Sequence, residues 1–378
     1  MVVEFLFWLA LFLVFHTYVV YPEWMLRRAK AYRREEDDPE EWPQVDLLLA
    51  AYNEEAVIDK KIRTCLECDY PADKLRLMIG SDRSTDRTDE IVRAWAENDP
   101  RIQLRRFDTR TGKPEIINTL VESSDADILV LSDADTYFEP GMIKALVRCF
   151  NRDNVGGVQA KFISEADPAK DVASQELGYN DRELKIKQGQ SSSGAVIGAY
   201  GACYALRRRL YVPVPKGFLV DDFFIFMKVL EQGYKTVYSA DAVCKLEVSG
   251  ESKTEFKRKA RIGLGNYQNF FALRAFWNPY SSVAAGYYWS HKVLRWFTPF
   301  FLVFLFFVNG YLAFFSPFYQ QVFIFQLALY ALWLLDSVLK IFGIHIKPLR
   351  YLSHFFRMNL ALLVGFFRYL KGGSKGTW

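Results

Sequence analysis

The chain has 378 residues, 51% hydrophobic and 16% aromatic, enough to fill a large core and to build a couple of domains. Its net charge is only +4 and its basic residues gather beside apolar segments, which excludes a nucleic-acid footprint and points to a membrane surface. The five cysteines are odd in number and scattered, which argues for free thiols; Cys65 and Cys68 form a C-x-x-C, but no second pair or nearby histidine completes a zinc site.

Residues 5 to 21, "FLFWLALFLVFHTYVVY", carry no formal charge with His16 neutral and are close to the length that crosses a bilayer as a helix. They lack a basic start and a small-residue cleavage site, so a retained anchor over 1–22 is expected, not a signal peptide. Arg27, Arg28, Lys30, Arg33 and Arg34 follow this span and only Glu4 precedes it, so the positive-inside rule puts the central domain in the cytoplasm, on a multi-pass protein of the cytoplasmic membrane. Residues 23–44 read as a charged linker.

From residue 45 strands alternate with helices. "VDLLLAAY", "LRLMIGS", "IQLRRF", "DILVLSD" and "GGVQAKF" read as strands; "EEAVIDKKIRTCLEC", "TDEIVRAWAEN" and "PEIINTLVES" read as helices. Such alternation predicts an α/β fold, a mainly parallel sheet with helices on both faces, over 45–251. No G-x-G-x-x-G follows the first strand, and "TRTGKP" lacks the first glycine of a P-loop, so neither dinucleotide nor P-loop binding is expected. "GQSSSGAV" (189–196) is small and polar and reads as a mobile loop.

Beyond it, 252–296 mixes basic residues with aromatics, as amphipathic helices at a membrane interface do. "FTPFFLVFLFFVNGYLAFF" (297–315) and "VFIFQLALYALWLLDSVL" (322–339) form a predicted transmembrane hairpin over 297–342, with "SPFYQQ" outside and Lys340, Lys347 and Arg350 inside. Residues 343–378 hold a shorter apolar piece, "MNLALLVGFF", expected to be interfacial or a short span.

The polar groups of the α/β region fall in the loops after successive strands, which a parallel sheet brings to one edge, where ligands of open α/β sheets bind. After the first strand come Asn53 and Glu54; after the second, "SDRSTDRT" with Asp82; after the third, "TGKPEIIN" with Lys113; after the fourth, Asp133 and Asp135. Two carboxylates one residue apart repel, so they are easiest to keep where a divalent cation carrying phosphate oxygens screens them.

With those segments in place the chain resembles the family 2 glycosyltransferases, in particular their membrane-embedded branch of cellulose, hyaluronan and poly-N-acetylglucosamine synthases. "LLLAAYNEE" resembles the family's opening strand and loop, "GSDRSTDRTDEI" its D-x-S-x-D-x-T segment, "TGKPEIIN" its G-K-x-x-A-x-N segment, "SDAD" its D-x-D and "LVDDFFIFMKVLEQGYK" its E-D segment. The resemblance implies a GT-A-like fold. It also implies a nucleotide site of Ala51, Tyr52, Asn53, Glu54, Asp82, Lys113, Asp133, Arg258 and Arg261, and Mg²⁺ or Mn²⁺ held on the diphosphate by Asp135 with Asp133 nearby. It makes Asp222 the general base beside Asp221, and gives Gly201, Cys203 and Ile262 to the acceptor. "RKARI" stands where many synthases have Q-x-x-R-W, so Arg258 replaces Gln and Ile262 replaces Trp; an isoleucine cannot stack on a sugar as an indole can.

The reaction implied is inverting transfer from a nucleotide-sugar, with uridine the family's commonest base, to a growing polysaccharide. A second reading is transfer of one sugar to a lipid such as a polyprenyl phosphate or diacylglycerol. A homo-oligomer or synthase partner subunits would fit the former. A reading from another class, a non-catalytic sugar-nucleotide sensor or scaffold, is opposed by the presence of Asp133, Asp135 and Asp222.

Overall fold

In a computed structural model the described residues are 1–31, 37–165, 171–247, 252–344 and 346–372; Arg33 and Arg34 of the basic run lie outside them. The chain divides into two compact units. One comprises Met1–Glu23, Glu251–Phe271 and Tyr288–Gly373, the other Trp24–Gly250, Ala272–Tyr287 and Ser374–Trp378.

The second of these contains an eight-stranded sheet. Its strands are β1 (Val45–Ala51), β2 (Leu75–Ser81), β3 (Ile102–Arg106), β4 (Ile128–Ser132), β5 (Thr136–Phe138), β6 (Val155–Glu165), β7 (Cys203–Arg207) and β8 (Lys235–Glu247), in the order β3-β2-β1-β4-β7-β6-β8-β5. β3, β2, β1 and β4 run parallel, as does β8 beside β6, while β7 is antiparallel to both its neighbours and β5 is antiparallel to β8. The expected α/β architecture is therefore present, as a mixed but mostly parallel sheet. β1 and β4 are buried along their whole length, which is why they read as unbroken apolar runs and not as alternations. The one charge in β1, Asp46, faces Arg76 across the β1–β2 ladder. Arg76 Nε and Nη2 each donate to it over 2.7 Å and Ser124 Oγ donates over 2.6 Å, so the buried carboxylate is satisfied.

The helix after β1 starts at Ile58, later than its acidic lead-in predicts. The amides of Glu54 and Glu55 donate to Thr88 Oγ1 and Asp86 Oδ2, at 2.8 and 3.0 Å, which ties this segment to the next loop. The helices Thr88–Asn98 and Lys113–Glu122 fall where the apolar spacing puts them. Among the elements not anticipated are the short strand β5, the helix Asp171–Ser191 and the strand β8. "GQSSSGAV" is built into the fold. Its first residues end that helix, Ser191 is 3% exposed and accepts the Tyr238 amide, and Ala195 bridges to Thr236. All five cysteines are free and buried.

The other unit is helical. Among the described residues three helices are long and apolar enough to cross a membrane: Val2–Ala31, Val283–Ala313 and Pro317–Ile341. Phe7, Ala10, Leu305, Leu312 and Tyr319 form a core between them, and Trp8 Nε1 donates to Tyr319 Oη over 3.2 Å. Most of "SPFYQQ" belongs to the last of these helices, because Pro317 suits a first turn. The C-terminal piece forms a fourth helix, Lys347–Leu370. It crosses the helix Ser252–Ala272 through two glycines: a Cβ on Gly365 would stand 2.7 Å from the Gly263 carbonyl carbon, so the backbones touch.

Candidate active site

β1, β2 and β4 deliver their polar loops to one edge. The first loop is stapled to the second by side chains. Asn53, whose φ of 55° lies in the left-handed region that asparagine tolerates, accepts the Thr85 amide over 2.8 Å and donates its own amide to Ser84 Oγ over 3.2 Å. Thr88 Oγ1 donates to Asp86 Oδ1 over 2.6 Å and receives the Glu54 amide. Asp86 and Thr88 thus hold the loop that carries Tyr52, Asn53 and Glu54.

Asp82 caps β2, fully buried. It receives the amides of Thr111 and Gly112 at 2.6 and 3.2 Å and Arg110 Nε at 3.1 Å, while its own amide donates to the Ala51 carbonyl over 2.8 Å. The Arg110 guanidinium lies 3.3 Å from the Tyr52 ring centroid. Arg110 is the residue sequence reasoning missed here: its signal was a basic residue two places before the glycine of "TGKP". Gly112 adopts φ 89° to turn the chain into the next helix, whose first residue is Lys113.

Lys113 bridges the acidic groups. Its Nζ donates to Asp133 Oδ1 over 2.6 Å and lies 3.9 Å from Asp221 Oδ2. Burial alone would lower its pKa, but Asp133, Asp221 and Asp222 outweigh that and raise it, so it is a fixed cation. Asp221 and Asp222 open the helix Asp221–Glu231, where the dipole favours acids. Asp221 is 5% exposed and its Oδ2 accepts no hydrogen bond. Burial, then Asp221, push the Asp222 carboxyl up to about 7 against the lowering pull of Lys113 and the Phe223 amide.

Gly201 closes the other side. Its carbonyl accepts the Asp133 amide over 3.1 Å, and a Cβ there would meet Asp133 Oδ2 at 2.8 Å. Cys203 stands apart: it is fully buried in β7, paired with Ser132, and burial holds its thiol well above the usual range. Its side chain belongs to the core, so any part in acceptor binding runs through the turn that precedes it. Arg258 and Arg261 are exposed and Ile262 half-buried on the helix Ser252–Ala272, which lies mainly in the helical unit.

The donor set fits a hard divalent cation. Burial and then Asp135, Asp133 and Asp86 push the Glu54 carboxyl up to about 7, and burial and Asp133 raise Asp135. Carboxylates gathered this closely suppress one another's ionisation, which a divalent cation beside them would relieve. Among the described residues no three-carboxylate cage stands ready. Mg²⁺ and similar ions are commonly held by one or two carboxylates with phosphate oxygens and water completing the shell.

Residues 43–265 match the family model described as glycosyltransferase like family 2. The chain belongs to glycosyltransferase family 2. Among curated family members it is 32% identical over 122 residues to a beta-monoglucosyldiacylglycerol synthase of Synechocystis sp., a match covering 32% of this chain and 26% of that protein. It is 26% identical over 227 residues to the cellulose synthase catalytic subunit of Pseudomonas fluorescens, covering 57% and 30%. The matches thus span less than a third of either relative. A mannosyltransferase from Pyrobaculum calidifontis, solved with GDP-Man and Mn²⁺, superposes with a TM-score of 0.69 at 21% identity, over 97% of this glycosyltransferase and 99% of that chain. That likeness carries the GT-A-like fold.

Proposed function

We propose that this family 2 enzyme is a metal-dependent, inverting glycosyltransferase that moves one sugar from a nucleotide-sugar to a membrane-borne lipid acceptor on the cytoplasmic face of the membrane. The observation that carries the transfer chemistry is Lys113 standing between Asp133 and Asp221, with Asp222 beside them pushed up to about 7. In this reading Asp82, Asn53 and Tyr52 shape the nucleoside pocket with Ala51 and Glu54, and Lys113 steadies the diphosphate. Asp135, with Asp133, holds Mg²⁺ or Mn²⁺, a reading that the Mn²⁺ of the Pyrobaculum complex also supports. Such an ion offsets the charge that grows on the leaving diphosphate.

Asp222 accepts the proton of the acceptor hydroxyl as its oxygen bonds to the anomeric carbon. The bond from that carbon to the phosphate oxygen breaks with its electron pair on the nucleoside diphosphate, and attack from the opposite side inverts the centre. A base with a proton affinity near neutrality is suited to this work. Gly201, whose lack of a Cβ lets the Asp133 carboxylate lie against it, belongs to the acceptor turn in this reading.

The lipid acceptor is supported by Ile262, which offers no stacking platform for a sugar chain, and by likeness to a glucosyldiacylglycerol synthase. Extension of a polysaccharide is the second reading, supported by likeness to a cellulose synthase over more of the chain. The donor could be a UDP- or a GDP-sugar; the latter is what the Pyrobaculum enzyme was solved with.

The test is release of nucleoside diphosphate from a panel of UDP- and GDP-sugars by the detergent-purified protein with Mn²⁺ or Mg²⁺, with Asp222→Asn alongside. Turnover of one donor, lost in the variant, supports the transferase. A single-sugar lipid or a long polymer in the product then decides the acceptor. Binding of nucleotide without turnover of any donor overturns it in favour of a sensor.

A further inference from the structure

Beneath the acidic turn lies a lysine that the transfer chemistry does not use. Lys61 sits on the helix Ile58–Leu66 among Ile58, Ile62 and Cys65, and like Ile58 and Ile62 it is 0% exposed. Its Nζ donates to Ser132 Oγ over 2.7 Å and to the Thr136 carbonyl over 2.6 Å, and stands 3.9 Å from the Phe138 ring centroid. The two acceptors bracket the turn 133–135, one residue before Asp133 and one after Asp135. Ser132 Oγ is also 2.6 Å from the Ala202 carbonyl, which ties the acidic turn to the Gly201 turn that precedes β7.

Burying an ammonium costs several kcal/mol, and a hydrophobic side chain of similar volume would fill the same space without that cost. Both of its hydrogen-bond acceptors here are neutral. What the cation gains is the acidic turn that its two bonds bracket, with Asp133 and Asp135 lying between Ser132 and Thr136. We propose that Lys61 is a positioning residue, pinning both ends of the Asp133–Asp135 turn and supplying a fixed charge below it, so that the turn presents its carboxylates to a divalent cation and diphosphate. The inference rests on the metal-site reading above. Lys61 touches neither cation nor substrate; it acts through Ser132 and the backbone of Thr136.

The test is Mn²⁺ affinity, read by the loss of the free-ion EPR signal in the full-length detergent-purified protein with UDP and, separately, GDP present. Lys61→Met and Ser132→Ala are compared with the wild type, with Asp135→Asn as reference. Removing groups that orient metal ligands typically weakens metal binding ~10–100-fold, and that is the expectation for Lys61→Met, with a smaller loss for Ser132→Ala. Turnover at saturating Mn²⁺ recovers more than affinity does, a split that a general loss of fold would not produce. Lys61→Met and Ser132→Ala both binding Mn²⁺ within about twofold of wild type would overturn the proposal. If Lys61→Met does not fold, Ser132→Ala decides alone by the same measure. If Asp135→Asn keeps wild-type affinity, the metal-site reading has failed, and the Lys61 inference falls with it.

Discussion

Lys113 Nζ donates to Asp133 Oδ1 over 2.6 Å while lying 3.9 Å from Asp221 Oδ2, so one cation joins the acidic turn after β4 to the acidic start of the helix Asp221–Glu231. Lys113→Met keeps the length of the side chain and removes that link. A hydrogen bond to a charged group is worth ~1.5–3 kcal/mol, so nucleoside diphosphate should bind at least about tenfold more weakly. Lys113→Arg should restore part of the loss. Calorimetric titration with UDP and GDP in Mn²⁺ checks it, and unchanged affinity in Lys113→Met would remove Lys113 from the site.

Gly201 is required by closeness, not by its backbone angle. A Cβ at 2.8 Å from Asp133 Oδ2 forces that carboxylate to rotate, and rotation breaks its bond to Lys113. Gly201→Ala should therefore lower kcat/KM about tenfold, and Gly201→Val more, since one charged hydrogen bond is at stake. The melting temperature should hardly move. A large fall in stability with normal kcat/KM would make Gly201 a packing residue only.

The parallel half of the sheet was legible because β1, β2 and β4 are apolar runs with both faces covered, punctuated by polar loops. Harder to read were β8 and the helix Asp171–Ser191. The strand carries Ser239, Asp241 and Lys245, and the helix has charged residues where a regular apolar stripe would be sought, Glu183 and Lys187 being nearly fully buried. Among site residues the acidic ones were visible by type and spacing. Arg110 and Lys61 were not, because a basic residue in a loop or on a helix ordinarily reads as solvated surface. Cys203 read as part of an acceptor turn because its segment stands where the resembling family places one, while its burial depends on β6 and β4 flanking β7.

In the proposed reading Arg110 and Asp82 form the base of the nucleoside pocket. Arg110→Ala takes a charged partner from the buried Asp82 carboxylate, which keeps the Thr111 and Gly112 amides, and takes the cation from the Tyr52 ring. Leaving a buried charged group short of a partner costs ~1.5–3 kcal/mol, which should appear both as a lower melting temperature and as weaker nucleotide binding. Arg110→Lys should recover the charge without the planar stack. Binding equal to wild type in Arg110→Ala would show that Tyr52 and Asp82 need no such support.

Stability without metal should fall as pH rises. Glu54 and Asp222 are both pushed up to about 7, so between the unfolded carboxylate range near 4 and that value the folded protein binds more protons than the unfolded chain. Their contribution is full below the unfolded value and is lost as pH climbs through about 7. In EDTA the melting temperature should be higher near pH 6 than near pH 8, by roughly 2–4 °C for each ~1 kcal/mol lost. Mn²⁺ should stabilise more at the higher pH, where the carboxylates are ionised. A metal-free melting temperature that rises over that window contradicts the clustering.

As the proposed general base, the same carboxyl should set the rate profile. A general base works only when ionised, so with Asp222 titrating near 7 kcat/KM should climb through that pH and level off above it. The first cause of the shift is burial and the second is Asp221, so Asp221→Asn should move the midpoint down while leaving the base in place. Asp222→Asn removes the proton acceptor and should cost ~10²–10⁴ in kcat with little change in nucleotide affinity, because the amide keeps the shape of the pocket. Measuring kcat/KM from about pH 5.5 to 9 for wild type and Asp221→Asn separates the two carboxylates. A midpoint that stays put in Asp221→Asn would mean that Asp221 does not influence the base, and a profile already flat at pH 6 would mean that the base is a different group.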